Sequence, residues 1–320
     1  MRTNFLLLSL IIFTLFSCGG MFNSDDIDYR EEMRTFVQEI SEYAKAQDSD
    51  FIVIPQNGHA LVQKNDKPAT EYLNAVDGLG QESLFFGSPN DDLLTSPSET
   101  NRLINLLNVG KEAGKTILVT DYVSTSFKVT NSYSQNQALG YVSFAAPDRD
   151  LRVIPDFPSP LPGLNANDIS TLSDAKNFLY LLNKSEFEDR QDFISSIQNT
   201  NYDVLVTDAF FWDEMFSPQE IQQLKQKKNG GERLVISYLS IGEAEDYRYY
   251  WQNSWRPGNP EWIVRENPNW EGNYKVKYWS PEWKEIIYNG ENSYLQQILD
   301  AGFDGVYLDI IDGFRFFENR

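Results

Sequence analysis

Several apolar runs in this chain end on a carboxylate. In "GVYLDIID" Asp309 closes a Val-Tyr-Leu run and Asp312 follows one step later, while "TILVTDY" ends on Asp121 and Tyr122 and "VLVTDAFFW" delivers Asp208. The run "LVISYLSIGEAED" leads through Tyr238 to Glu243, Glu245 and Asp246, and "FIVIP" is followed by Gln56 and Asn57. An ionised carboxylate is costly to desolvate without a partner, so a strand that only filled a core would have no use for one at its end. Acids converging from separate strands suit general acid–base chemistry, in which one group gives a proton and another takes one or attacks. Asp309 is the strongest candidate, and Asp312 reads as a supporting or ligand-contact group. Glu243 is the inward-facing choice in its segment. Asp121 and Asp208 are rim residues that could equally cap a helix or pair with a nearby Arg or Lys. Gln56, Asn57, Tyr122 and Tyr238 complete the expected rim.

What the chain lacks narrows the chemistry further. It has one histidine, His59, and one cysteine, Cys18, which excludes a Cys-His pair in the fold and a multi-histidine zinc site and leaves His59 as the sole histidine that a Ser-His-Asp triad could use. No EF-hand spacing is present, so neither a metal nor a cofactor is expected. His59 follows a strand end without a visible partner and reads as a structural or ligand-contact group. Glu82, in "AVDGLGQESLFFG", reads from pattern alone as a loop glutamate ahead of a short strand at Leu84–Phe86.

The N-terminus reads as an export signal: Arg2, an apolar run from Phe5 to Phe16, and then Leu15-Phe16-Ser17-Cys18 before two glycines. The junction resembles a bacterial lipoprotein box in which Cys18 becomes the lipidated residue. The expected organisation is a signal peptide over 1–17, an acidic tether over 18–28 and one folded domain over 29–320. Removing residues 1–17 takes away Arg2 and no acid, so the formal charge moves from −20 to −21. Such a surface repels nucleic acid and anionic lipid and attracts cationic ligands. The expected setting is the cell envelope, at the outer membrane or cell surface, with membrane contact only through the lipid anchor.

The positioning elements read as an alternation of β-branched runs and helices. Met33, Phe36, Val37, Ile40, Tyr43 and Ala44 recur at the helical period within Tyr29–Gln47. Strands are expected at Phe51–Ile54, Thr116–Thr120, Leu139–Phe144, Asn177–Leu182, Asp203–Thr207, Leu234–Tyr238, Lys275–Tyr278 and Gly305–Asp309. Ser96-Pro97-Ser98-Glu99 and Ser217-Pro218-Gln219-Glu220 place a cap, a first-turn proline and a closing Glu at helix starts. Gly114, Gly230-Gly231 and Gly302 mark helix ends. Strand, loop, capped helix, glycine, strand is the unit of an α/β fold, here a single (β/α)8 TIM barrel, whose site lies at the C-terminal strand ends.

The segments "FIVIPQNG", "DGLGQESLFFG", "KNFLYLLN", "VLVTDAFFW", "VISYLSIGEAEDYRYYW" and "GFDGVYLDIID" together resemble the extracellular family labelled MJ1477/TM1410, related to glycoside hydrolase family 114, the endo-α-1,4-polygalactosaminidases. In the hydrolases the Asn- and Glu-bearing strands come last. Here they come first, which implies a circularly permuted barrel. The resemblance implies that Asp309 and Glu82 are the catalytic pair, Asp309 as nucleophile and Glu82 as acid/base with exchangeable roles. It places Asp208, Tyr238 and Glu243 at sugar-binding or supporting positions. One departure is visible: Leu308-Asp309-Ile310 stands where the hydrolases usually have Pro-Asp-Asn. The expected function is a lipid-anchored glycoside hydrolase acting on an α-linked, galactosamine-containing and so cationic polysaccharide. The alternative is a surface glycan-binding lipoprotein on a barrel that has lost turnover.

Overall fold

The computed structural model describes residues 27–320. The expected signal peptide, Cys18 and most of the acidic tether lie outside the described residues. Helix α1 (Tyr29–Gln47) opens the fold, capped by the Asp28 side chain accepting from the Glu31 N–H, and buries the periodic face of Met33, Phe36, Val37, Ile40 and Ala44.

Eight parallel strands follow in chain order: β1 (Ile52–Pro55), β2 (Gly78–Glu82), β3 (Thr116–Tyr122), β4 (Val142–Ala146), β5 (Phe178–Leu181), β6 (Val204–Asp208), β7 (Leu234–Ser240) and β8 (Gly305–Asp309). They form two ladders, β5-β6-β7-β8-β1 and β2-β3-β4. The first and last strands pair directly, Ile52 opposite Gly305 and Pro55 opposite Leu308. Between the ladders, β1 meets β2 through a parallel bridge of Gln56 with Gly80, extended by the Asn57 N–H to the Gly80 carbonyl at 2.7 Å. At the other seam the Phe144 and Phe178 rings lie 5.9 Å apart. This is an α/β fold with a parallel central sheet, compatible with a barrel. The expected continuous eight-stranded ladder is not found among the described residues.

Two elements differ from expectation, each for a packing reason. Lys275–Tyr278 is not a strand of the parallel sheet. Trp270–Val276 instead forms the centre of a small antiparallel sheet between Glu243–Glu245 and Ile263–Asn267. The eighth parallel strand is β2, in a segment that reads as a Gly-rich loop. Its glycines answer to crowding rather than to a turn: a methyl on Gly80 would collide with the Tyr307 hydroxyl, and one on Gly78 would stand 2.7 Å from a Leu172 methyl. The capping signals fold as expected. Ser96 accepts from the Glu99 N–H at the start of Pro97–Glu112, and Ser217 with Glu220 forms a reciprocal box on Pro218–Leu224. No described helix is long and apolar enough to cross a membrane.

Candidate active site

Because all eight strands run parallel, their last residues share one rim, and β1 sits between the strands carrying Glu82 and Asp309. Glu82 is the final residue of β2 and is held by neutral donors. The Asn57 amide reaches its Oε2 at 2.9 Å, and the Tyr122 hydroxyl donates to its Oε1. The Glu82 N–H in turn donates to the Asn57 side-chain oxygen at 3.2 Å. Asp309, the final residue of β8, accepts from the Tyr238 hydroxyl at 2.7 Å and from the Gln56 amide at 3.3 Å. Gln56, Asn57, Tyr122, Tyr238, Glu82 and Asp309 are thus brought together by five strands.

Among the described residues no cation touches either carboxylate, and this sets the electrostatics. Burial, and then the charge of Glu82, push the Asp309 carboxyl up to about 7, against the Tyr238 hydrogen bond that favours its ionised form. The floor beneath is a cluster of tyrosines. Tyr122, Tyr180, Tyr238 and Tyr307 are buried, and burial keeps their hydroxyls protonated well above the ordinary range. Tyr180 and Tyr307 rings lie 5.2 Å apart, and the Tyr307 hydroxyl has no partner among the described residues. Sequence reasoning did not single out Tyr180 or Tyr307. Their position two residues before a strand end was the available signal.

The chain turns sharply as it leaves these residues. Asn57, Ser83 and Ile310 follow Gln56, Glu82 and Asp309 and adopt φ of 61°, 57° and 59°. The left-handed region is costly for a β-branched residue such as Ile310, and strain of this kind concentrates at functional sites.

Two expected rim residues face elsewhere, and a third is held by a cation. Asp121 is fully buried and points away from Tyr122. It accepts from the Phe85 and Phe86 N–H groups at 2.9 and 3.2 Å, from Ser132 at 2.6 Å and from Asn136 at 3.3 Å. Burial raises its carboxyl against those bonds. It ties the loop after β2 to the helix Ser126–Leu139 and has no capacity left for substrate. Glu243 is also fully buried, ion-paired with Lys275 and bonded by Asn267 at 2.8 Å, so it is saturated within the antiparallel sheet. Asp208 does lie at the rim, but Arg248 grips both its oxygens at 2.9 and 2.7 Å. Burial alone would raise its carboxyl, and Arg248 with Lys184 outweighs that and lowers it. Arg248 also donates to Glu245 at 2.6 Å, so Glu245 rather than Glu243 is the acid of its segment joined to the rim.

Asp312 lines a cavity of about 160 Å³ with Asn57, His59, Glu82 and Arg315. His59 is buried there, neither ring nitrogen has a hydrogen-bond partner among the described residues, and burial lowers it to about 4, so the ring is neutral. Among the described residues no group of three or more His, Cys, Asp or Glu side chains could hold a metal ion.

Residues 167–320 match the model of glycoside-hydrolase family GH114. The matched region carries Asp208, Tyr238 and Asp309; Asn57, Glu82 and Tyr122 lie before it. The uncharacterized protein MJ1477 of Methanocaldococcus jannaschii is 42% identical over 159 residues, covering 49% of this chain and 43% of that protein. An uncharacterized protein of Thermotoga maritima is 48% identical over 105 residues, 33% of this chain and 30% of that one. One of Deinococcus radiodurans is 36% identical over 130 residues, 41% of this chain and 40% of that one. The matches span less than half the length of each of these curated relatives. At the level of the family, the C-terminal part of this chain, residues 167–320, is related to glycoside-hydrolase family GH114.

Proposed function

We propose that the chain is an exported, lipid-anchored glycoside hydrolase whose parallel strands close as a permuted barrel, and that it cleaves an α-linked, amino-sugar-containing polysaccharide with Asp309 and Glu82. The observation that carries this reading is a pair of carboxylates from β8 and β2, coupled through their charges and held only by neutral donors. Burial and the Glu82 charge favour the protonated form of Asp309, while the Asn57 amide and the Tyr122 hydroxyl hold and orient the Glu82 carboxylate. Asp309 is therefore assigned as the acid that protonates the departing glycosidic oxygen. Glu82 is the carboxylate that attacks the anomeric carbon or takes a proton from the attacking water. This exchanges the roles that the family resemblance implies.

The test is release of oligosaccharides from an α-1,4-linked galactosamine polymer. Wild type releases them, and Asp309→Asn and Glu82→Gln, each still folded, do not. Wild type that binds the polymer and releases nothing would instead make the protein a glycan-binding lipoprotein. A carboxyl separation of roughly 5–5.5 Å in a complex goes with retention of configuration, and roughly 6.5–9.5 Å with inversion.

A further inference from the structure

Three arginines line one hollow at the surface beside the helix Phe314–Glu318, and none has an ion-pair partner among the described residues. Arg265, Arg315 and Arg320 line, with Phe316 and Asn319, an open hollow of about 410 Å³. The Arg265 and Arg320 guanidinium groups stand 4.8 and 5.4 Å from the Phe316 ring centroid, so one ring holds both cations. Elsewhere in the fold Arg149, Arg152, Arg190 and Arg248 each meet at least one carboxylate. In a chain with a formal charge of −20, acids for such pairing are plentiful, yet the Arg265 and Arg320 cations gathered on one ring are left without them and repel each other. A bound anion would relieve that repulsion. Arg315 also lines the cavity that holds Glu82 and Asp312, so the two hollows share a wall.

We propose that the Arg265–Arg315–Arg320 hollow is an anion-accepting subsite of the substrate cleft, which takes a carboxylate, sulfate or phosphate group borne by the glycan close to the bond that is cleaved. The guanidinium fork matches such oxyanions in a bidentate way that an ammonium group does not. A homopolymer of galactosamine would bring ammonium groups against these cations. The subsite therefore narrows the substrate to a chain that carries acid groups beside its amino sugars. The inference rests on the glycosidase reading for its glycan, and deepens it.

The experiment is calorimetric titration of the Asp309→Asn protein with α-1,4-linked trigalacturonate, its neutral methyl ester, inorganic sulfate and phosphatidylglycerol vesicles. The expected result is trigalacturonate binding about ten-fold or more tighter than the ester, with a margin that shrinks as salt rises from about 0.05 to about 0.5 M. Arg265→Glu abolishes the margin and Arg265→Lys keeps part of it; thermal midpoints check that the variants are folded, and Arg265→Gln replaces the reversal if that variant is not. Equal binding of acid and ester, or a preference that survives loss of the Arg265 charge, overturns the proposal. Sulfate that binds as tightly as trigalacturonate reduces the hollow to a free-anion site, and vesicles that bind more tightly make it a membrane contact; either result also overturns it. Hydrolysis by wild type is read separately. Intact turnover without acid preference rejects only the subsite, and acid preference without turnover rejects only the glycosidase.

Discussion

The two halves of the rim treat their carboxylates in opposite ways. Around β6 and β7 three buried or half-buried acids meet cations: Asp208 and Glu245 share Arg248, and Glu243 is paired with Lys275. Around β8 and β2 the donors are Tyr238, Gln56, Asn57 and Tyr122, all neutral. A cation fixes a carboxylate in its ionised form and satisfies it. Neutral donors orient a carboxylate and leave its charge to its neighbours, which is why Asp309 is pushed up while Asp208 is held down. The first arrangement suits a structural brace, and the second suits a group that must give up a proton at neutral pH.

The sharpest way to break this comparison is to neutralise one acid on each side. Asp309→Asn should lower hydrolysis by about a thousand-fold, in line with loss of a positioned acid, measured as reducing ends released. Asp208→Asn should change turnover far less and weaken the fold instead. Arg248→Met leaves Asp208 and Glu245 buried without their cation and should cost about 3–5 kcal/mol in denaturant unfolding. A stability loss under 1 kcal/mol would mean the brace is not one.

The sign reverses at Asp309. Its folded carboxyl lies above its ordinary value of 3.8, so the native protein holds more protons than the unfolded chain between about pH 4 and pH 7. Stability should therefore fall as pH rises through that window. Asp309→Asn removes that dependence and should be more stable than wild type at pH 8, by on the order of 2 kcal/mol after allowance for its partial exposure. Equal thermal midpoints at pH 8 would argue against a strained Asp309. The smallest effect is expected at Ser217, which caps the helix Pro218–Leu224: Ser217→Ala should cost about 1 kcal/mol without altering the pH profile of hydrolysis.

The same contrast explains what could be read from the sequence. Strands β3, β6, β7 and β8 are legible as β-branched apolar runs, and Asp309 as the acid that ends one. The strand β2 is not, because it carries glycines where side chains would crowd Tyr307 at Gly80 and Leu172 at Gly78, and with it Glu82 loses its strand-end signal. Only the family resemblance pointed to that residue. Asp121 and Tyr122 are neighbours whose side chains point to opposite faces. A strand buried on both faces, as β3 is, has no alternation from which to choose between them. The preference for Glu243 over Glu245 has little to stand on for a related reason, since the partners that separate them, Lys275 and Arg248, are brought up only by folding.

The central claim is that Asp309 and Glu82 act as one coupled pair, and titration of the Asp309 carboxyl carbon by NMR tests it most directly. The account predicts an apparent pKa near 7 in wild type, a lower value in Glu82→Gln, where the neighbouring charge is gone, and a higher one in Tyr238→Phe, where a bond to the ionised form is lost. A wild-type carboxyl that titrates near its ordinary value of 3.8 and does not respond to Glu82→Gln would contradict it.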